Sequence, residues 1–563
     1  MRKSLFLVAS IAILALVTAC SGSTPATPTA SASPTAVPTR ASAPDISPEL
    51  KETPTSDGSP RQGGTFTLVY SDPPTLDPHL VVDGTSFGIV VELFSGLVSL
   101  DKSLKIIPEL AESWKVLNGG TVYEFTLRPD LKFSNGDPVT AQDFKWSLER
   151  AGNPDTGSAV AETYLGDIVG MMDVIEGRAT DVSGITVIDD RTLQITIDAP
   201  KAYFLAKLTY PTAYVLNKQN VESGGSSWTD SPVGTGAFIL ADYRIGQQIR
   251  LARNDNYWGR AAYLDEVVYN LSGGVSMAMY ENDEIDITGV GLADLDRVND
   301  PAEPLNKDLV ETPAQFGVQY IGFNVAEPPF DDPKFRQALN LAVDKQLISS
   351  QVFADLLEPA YGIIPPHFPG YNPDHVGLVF NLERAKQLLS ESKYADEATR
   401  PRIVITVPGS GGSPGLDVEV IADMWRRDLG VEVEVQQVEW ATYLQDLNRK
   451  RLQAWGGVAW QADYPDPQNF IDVLFYSDTQ GNRGNYANPA VDNLIVQART
   501  EQDPQKRVEL YQQAEQMIVD DAAWLPLWFD TDRKALLKQR VKDFNFTQIA
   551  IPKFKDVWVT DGK

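Results

Sequence analysis

The chain has 563 residues, 43% of them hydrophobic, which is enough to bury several cores in about two to four domains. Its 48 basic and 76 acidic residues give a formal net charge of −28. That balance excludes a nucleic-acid partner, because phosphate backbones are held by basic patches.

Arg2 and Lys3 precede an apolar run from Leu5 to Val17. The run is shorter than the roughly 20 residues that cross a bilayer and fits the core of a secretory signal peptide over residues 1–19. It ends in Val17-Thr18-Ala19-Cys20, which resembles the bacterial lipobox, where the cysteine thiol takes a lipid and becomes the new N-terminus. Cys20 is the only cysteine, so it forms no internal disulfide. Residues 20–62 are rich in Ser, Thr, Pro and Ala and lack the apolar content to pack, so a disordered tether is expected. A lipid at its start would anchor the chain to a membrane without spanning it.

Gly63 to Tyr70 alternates as a strand does, and Asp72 to His79 carries three prolines that force an extended, turning path. His79, His367 and His375 show no helical metal-ligand spacing, so a structural role is expected for His79 and no metal or other cofactor for the chain. Phe87 to Leu97 reads as a helix and Val122 to Leu127 as a strand. Thr140 and Asp143 have the spacing of a capping box before a helix from Ala141 to Arg150. Two strands follow, Ile185 to Ile188 and Leu193 to Ile197. Farther on, Asp332 can cap a helix, Pro333 suits its first position, and Phe335, Ala338, Leu339, Ala342 and Val343 form one apolar stripe. Asn381 opens another capped helix, and Gly430 to Val435 alternates as a strand.

Gly411-Gly412-Ser413-Pro414-Gly415, after an expected strand Ile403 to Val407, fits the hydrolase elbow pattern. Pro414 lacks the N–H that the oxyanion hole needs, and no histidine follows His375, so no catalytic residue is assigned. Leu452 to Val458, broken by Gly456 and Gly457, leads into Trp460-Gln461-Ala462-Asp463-Tyr464-Pro465-Asp466-Pro467. Its two prolines force a turn that holds Asp463 between Trp460 and Tyr464. Read alone, this is a surface turn, or a seat for an ammonium group or a sugar hydroxyl.

The order of these pieces, with Pro232 to Phe238, Arg253 to Gly259 and Pro329 to Ala338, resembles the bacterial extracellular solute-binding proteins of family 5, the peptide-binding receptors of ABC importers. The resemblance implies an α/β, two-lobed periplasmic-binding-protein-like fold (type II, cluster C) with an extra domain in the first lobe. Lobe I would comprise residues 63–99, 191–311 and 528–563, the extra domain 100–190, and lobe II 312–527. Asp463 matches the aspartate that pairs with a peptide's α-ammonium. Ala459, Trp460 and Gln461 would run beside the ligand backbone, with Tyr464 next to them, and Val82, Asp83 and Gly84 would be the first-lobe contact. Where relatives place a basic residue for the ligand's carboxylate, this chain has Gly457 and the segment Pro408 to Gly412; Arg483 is the candidate substitute. The expected function is a non-enzymatic, monomeric receptor, lipid-anchored outside the cytoplasmic membrane or in the periplasm, that delivers peptides to an ABC permease. Oligosaccharides are the alternative ligand, and a secreted hydrolase the other function class.

Overall fold

The computed structural model describes residues 58–409 and 415–560. The signal peptide, Cys20, most of the tether, and the elbow from Gly411 to Pro414 with Ser413 lie outside the described residues. No helix among the described residues is long and apolar enough to cross a membrane, and no group of three or more His, Cys, Asp or Glu there could hold a metal ion.

The first lobe holds a four-stranded sheet in the order Thr65–Val69, Glu266–Asn270, Gln248–Arg253, Phe238–Arg244, parallel at the first pair and antiparallel elsewhere. A second, antiparallel sheet orders Ala111–Leu117, Val122–Leu127, Thr192–Thr196 and Ile185–Asp189. Its hairpin Ile185–Asp189 to Thr192–Thr196 straddles residue 190, where the extra domain was expected to end. The helix expected from Phe87 to Leu97 runs instead over Gly84–Leu93. Asp83 starts it by accepting the N–H groups of Thr85 and Ser86 (2.9 and 3.0 Å), and it stops at extended Phe94, so that Val98–Leu100 can pair with Ile106–Pro108. Asp143 accepts the Thr140 N–H at 2.8 Å and caps the helix Ala141–Gly152.

The second lobe is built on a six-stranded sheet ordered Glu358–Pro359, Trp524–Phe529, Gly317–Phe323, Ala454–Gln461, Ile403–Pro408, Val433–Val438. Helices cover both faces, which is why Trp524–Phe529 is buried at every residue rather than at alternate ones. On one face Tyr320 stacks on Trp524, centroids 3.5 Å apart. At Gly322 an added Cβ would meet the Trp455 ring at 2.2 Å, so only glycine lets that ring cross the strand. The helix Pro333–Leu341 is capped by Asp332, and Phe335, Ala338, Leu339, Ala342 and Val343 are fully buried.

A three-stranded sheet, Ile287–Gly289, Arg533–Leu537, Leu309–Thr312, adjoins the six-stranded one. The chain passes between them through residues 313–316 and back through 530–532. The strands on either side of these links are paired antiparallel, Leu309–Thr312 with Arg533–Leu537 and Gly317–Phe323 with Trp524–Phe529. The two links therefore run side by side.

Pro526 stands inside this returning strand, where it cannot donate to a ladder, and the register with Gly317–Phe323 shifts beside it. Its carbonyl is taken by Lys345, whose ammonium donates to Pro526 O at 2.7 Å and Ala360 O at 2.5 Å and lies 4.4 Å from the Tyr361 ring centre. Burial lowers the Lys345 ammonium from its ordinary value to about 7. The unfolded chain then holds this proton more tightly than the native one between about pH 7 and the ordinary lysine range. Stability from this group is therefore gained as pH rises through that window and lost as it falls. Urea unfolding from pH 7 to pH 9 should show a positive slope of up to ~1.4 kcal/mol per pH unit that Lys345→Met removes. Equal slopes in the two proteins would rule this out.

Candidate functional site

The strand Ala454–Gln461 pairs with Ile403–Pro408 only at Ala454 and Trp455. Gly457, at φ +69°, then turns it away. From Val458 to Gln461 it keeps one partner, Gly317 to Tyr320, and its other edge is unpaired within the sheet. The turn after it is pinned in three ways. Ala462 N–H donates to Phe316 O at 2.8 Å, Asp463 N–H to Asn469 Oδ1 at 3.0 Å, and Arg507 grips Asp466 through two bonds of 3.0 and 2.5 Å.

Asp463 lines a cavity of about 260 Å3 between the lobes. Its Oδ2 accepts the Tyr164 hydroxyl at 2.6 Å, from the first lobe, and Asn469 Nδ2 at 3.0 Å; its Oδ1 accepts no hydrogen bond among the described residues. Burial pushes this carboxyl up to about 6, against the pull of the two hydrogen bonds and the Arg483 charge. Val82, Asp83, Gly84, Ala459, Trp460 and Gln461 all line the same cavity. Asp83 spends Oδ1 on capping its helix, and its Oδ2 is buried without a partner. Arg483, the candidate for a ligand carboxylate, also lines the cavity, with its guanidinium 5.9 Å from the Trp460 ring centre and in no ion pair among the described residues. Two carboxylates, Asp463 and Asp83, and one guanidinium, Arg483, thus face a single aromatic-walled space.

Tyr464 differs from expectation. It is fully buried, donates its hydroxyl to Gln468 Oε1 at 2.5 Å, and packs with the first-lobe core rather than lining the cavity. Its ring meets Tyr164 edge-on, centroids 6.4 Å apart, and so backs the tyrosine that donates to Asp463. Sequence reasoning missed Tyr164, Tyr210, Tyr320 and Tyr443, which line the cavity from distant elements. Tyr164 and Tyr210 stack 3.8 Å apart, and Tyr210 donates to Val81 O at 3.1 Å. No local pattern marks such residues. His79 is structural: Nδ1 faces Arg150 at 2.9 Å and Nε2 faces Tyr214 O at 3.2 Å, so the ring is neutral with its proton on Nε2, and burial lowers it to about 4.

Residues 105–482 match the model of the bacterial extracellular solute-binding proteins, family 5 Middle. The chain is 32% identical over 84% of its length, and 89% of the relative's, to the probable deoxycholate-binding periplasmic protein YgiS of Escherichia coli. It is 31% identical over 82% of its length, and 86% of the relative's, to the periplasmic oligopeptide-binding protein OppA of the same species. Among solved structures, that of the E. coli murein tripeptide binding protein MppA superposes with a TM-score of 0.79 at 27% identity, covering 90% of this chain and 99% of that one. Against the unliganded open form of MppA the TM-score is 0.61, at 27% identity over 89% of this chain and 97% of that one. The lobes here are therefore arranged less like that open form than like the first structure.

The Asp466–Arg507 pair is nearly buried, with Arg507 also 5.3 Å from the Tyr203 ring centre across the lobe boundary. Removing one partner strands the other charge, so Arg507→Met should lower the unfolding free energy by about 3–5 kcal/mol, and Asp466→Asn should add little to it in the double variant. Urea titration of the two single variants and the double variant checks this; additive losses would show that the pair is not the unit holding the turn.

Proposed function

The chain belongs to the bacterial extracellular solute-binding proteins of family 5, and from that membership we propose that it is the receptor of an ABC importer that takes a peptide between its lobes. Relatives in the family are periplasmic binding proteins rather than enzymes, and some are named for peptides. The observation that carries the reading is the carboxylate of Asp463 at the end of an unpaired strand edge, inside a cavity between lobes. An extended peptide can continue the sheet along Val458 to Gln461, which gives affinity from main-chain bonds without reading side chains. Its α-ammonium then meets the free Oδ1 of Asp463 and fixes the register. The unpaired guanidinium of Arg483 is the group we assign to the peptide's carboxylate. Val82, Asp83 and Gly84 would close on the ligand from the first lobe.

We divide the molecule into the lobes and extra domain given above with two adjustments. The extra domain extends through Thr196, because Thr192–Thr196 is an interior strand of its sheet. The hinge lies at residues 313–316 and 530–532, where closure on a ligand would be a rotation about two adjacent links. The closed receptor would dock on its permease as a monomer, tethered through a lipid on Cys20 at the outer face of the cytoplasmic membrane. The aromatic walls, Trp440, Tyr443 and Trp460 among them, favour oligosaccharides as the second reading, since sugar faces stack on such rings.

Calorimetry separates the two ligands. If an ammonium pairs with Asp463, Asp463→Asn should cost on the order of 2–5 kcal/mol for peptides. N-acetylation of the peptide should cost as much. Affinity should also fall as pH drops below about 6, where the carboxyl must first lose a proton to the solution, and this dependence should vanish in Asp463→Asn. Peptides bound equally well after acetylation would refute the pairing, and cello-oligosaccharides bound in their place would establish the second reading.

The anchor is tested separately. Cys20→Ser should leave the body folded and binding but move the protein to the soluble fraction, or leave it as unprocessed precursor, because the two chains of a diacylglycerol supply the membrane affinity. Wild-type and variant proteins found alike in the membrane fraction as mature chains would show that another anchor exists.

A further inference from the structure

A second cavity, of about 510 Å3, lies inside the first lobe and shares no lining residue with the one that holds Asp463. Its walls come from the end of the helix Gly84–Leu93, the strands that follow, and the C-terminal segment from Asn545 to Asp556. Seven charged side chains line it, Glu92, Asp101, Glu109 and Asp556 with Lys102, Lys553 and Lys555, and of these Asp556 is paired with Arg260.

Their pairing is incomplete. Glu92 is 1% exposed, and its Oε1 accepts the backbone N–H groups of Lys553 and Phe554 at 2.6 and 3.4 Å. Its Oε2 is buried with no hydrogen-bond partner among the described residues. Glu109 accepts the Ser95 hydroxyl at 3.3 Å, and the Tyr257 hydroxyl also supports its charged form. Among the described residues neither carboxylate, and neither Lys553 nor Lys555, takes part in an ion pair within 4.0 Å, although the two signs share one wall. Burial raises both carboxyls, Glu92 to about 7, and lowers the Lys553 ammonium.

Glu92 Oε1 ties the C-terminal segment to the helix Gly84–Leu93, but no such use accounts for Oε2. Glu92 stands in the last turn of its helix, where the aligned peptide dipoles disfavour a carboxylate. A buried oxygen left without a donor costs a further ~1–3 kcal/mol. A buried side-chain oxygen left unmatched beside a void of ligand size is placed for something that enters the void.

We propose that this cavity binds a small zwitterion of the α-amino-acid class, its ammonium on Glu92 Oε2 with Glu109 beside it, and its carboxylate on Lys553 and Lys555. Glu92 and Glu109 on one side, and Lys553 and Lys555 on the other, give a ligand that carries one charge of each sign a partner for each. Val91, Ile107 and Ile551 give the rest of such a molecule an apolar wall.

The full mature chain in its Asp463→Asn form is titrated calorimetrically with glycine, L-alanine and L-leucine, and with methylammonium and acetate as single-charge probes. We expect one amino acid bound per chain, with the same affinity in Asp463→Asn as in wild type, at least ~tenfold weaker in Glu92→Gln and in Lys555→Met, and no comparable binding of either single-charge probe. The Glu92→Gln variant keeps an oxygen for the backbone N–H groups, and circular dichroism checks its fold; should it not fold, Lys555→Met, changed at a half-buried side chain, decides. Wild-type affinity in Lys555→Met overturns the proposal, as does methylammonium bound as well as the amino acids, which would make this a cation site. Amino-acid binding lost in Asp463→Asn would assign it to the interlobe cavity, and no amino-acid binding to wild type at tens of millimolar leaves the second cavity without this ligand; both also overturn the proposal.

Discussion

Burying the carboxylate of Asp463 between two lobes is the constraint around which the site is assembled. A charged group in such a place needs donors, and these come from two directions. Asn469 reaches back from the helix that the turn begins, and Tyr164 reaches across from the first lobe. The helix can supply Asn469 only because Pro465 and Pro467 end the strand and restart the chain within a few residues. Tyr164 is held in turn by its stack on Tyr210, whose hydroxyl is tied to the segment just before Asp83. One carboxylate thus links the sheet of the second lobe to the helix start of the first. Half of its hydrogen-bonding capacity is left open toward the cavity.

The sequence was legible where a local rule decides a local shape. Asp332 with Pro333, Thr140 with Asp143, and the stripe from Phe335 to Val343 each read correctly because caps and apolar periodicity act over a few residues. The turn at Asp463 was legible for the same reason. What was hidden depends on distant partners. The helix that begins at Gly84 stops at Phe94, although the apolar pattern continues, because the next residues are claimed by a strand pairing. Ala111–Leu117 is largely exposed, and it is a strand because Val122–Leu127 offers it an edge. Tyr164 and Tyr210 belong to the site only through closure of the lobes. Tyr464, beside Asp463 in sequence, packs into the first-lobe core and does not line the cavity.

Buried charge recurs where the chain has something to hold. Lys345 secures two carbonyls in the strand that returns to the first lobe, one of them from the proline that interrupts the ladder. Asp167 sits between Lys201 and Lys207 at 2.6 and 2.7 Å, under the face of the extra domain that meets the second lobe. These groups are compensated by neighbours of suitable charge or by carbonyl dipoles. Glu92 and Asp83 differ, because each keeps one buried oxygen with no hydrogen-bond partner among the described residues.

The open edge from Val458 to Gln461 has a consequence for the behaviour of the molecule in concentrated solution. A strand with one unpaired side is a template on which another chain can add, and exposed proteins commonly blunt such edges with charge, proline or a covering loop. Here the covering is the opposite lobe, drawn over the edge as the cavity forms. An opened, empty molecule uncovers Val458, Ala459 and Trp460, with no charged side chain among them, to any neighbour that can offer a strand. Occupancy of the cleft would then act as protection against self-association, and the empty form would be the first to aggregate on storage or overexpression.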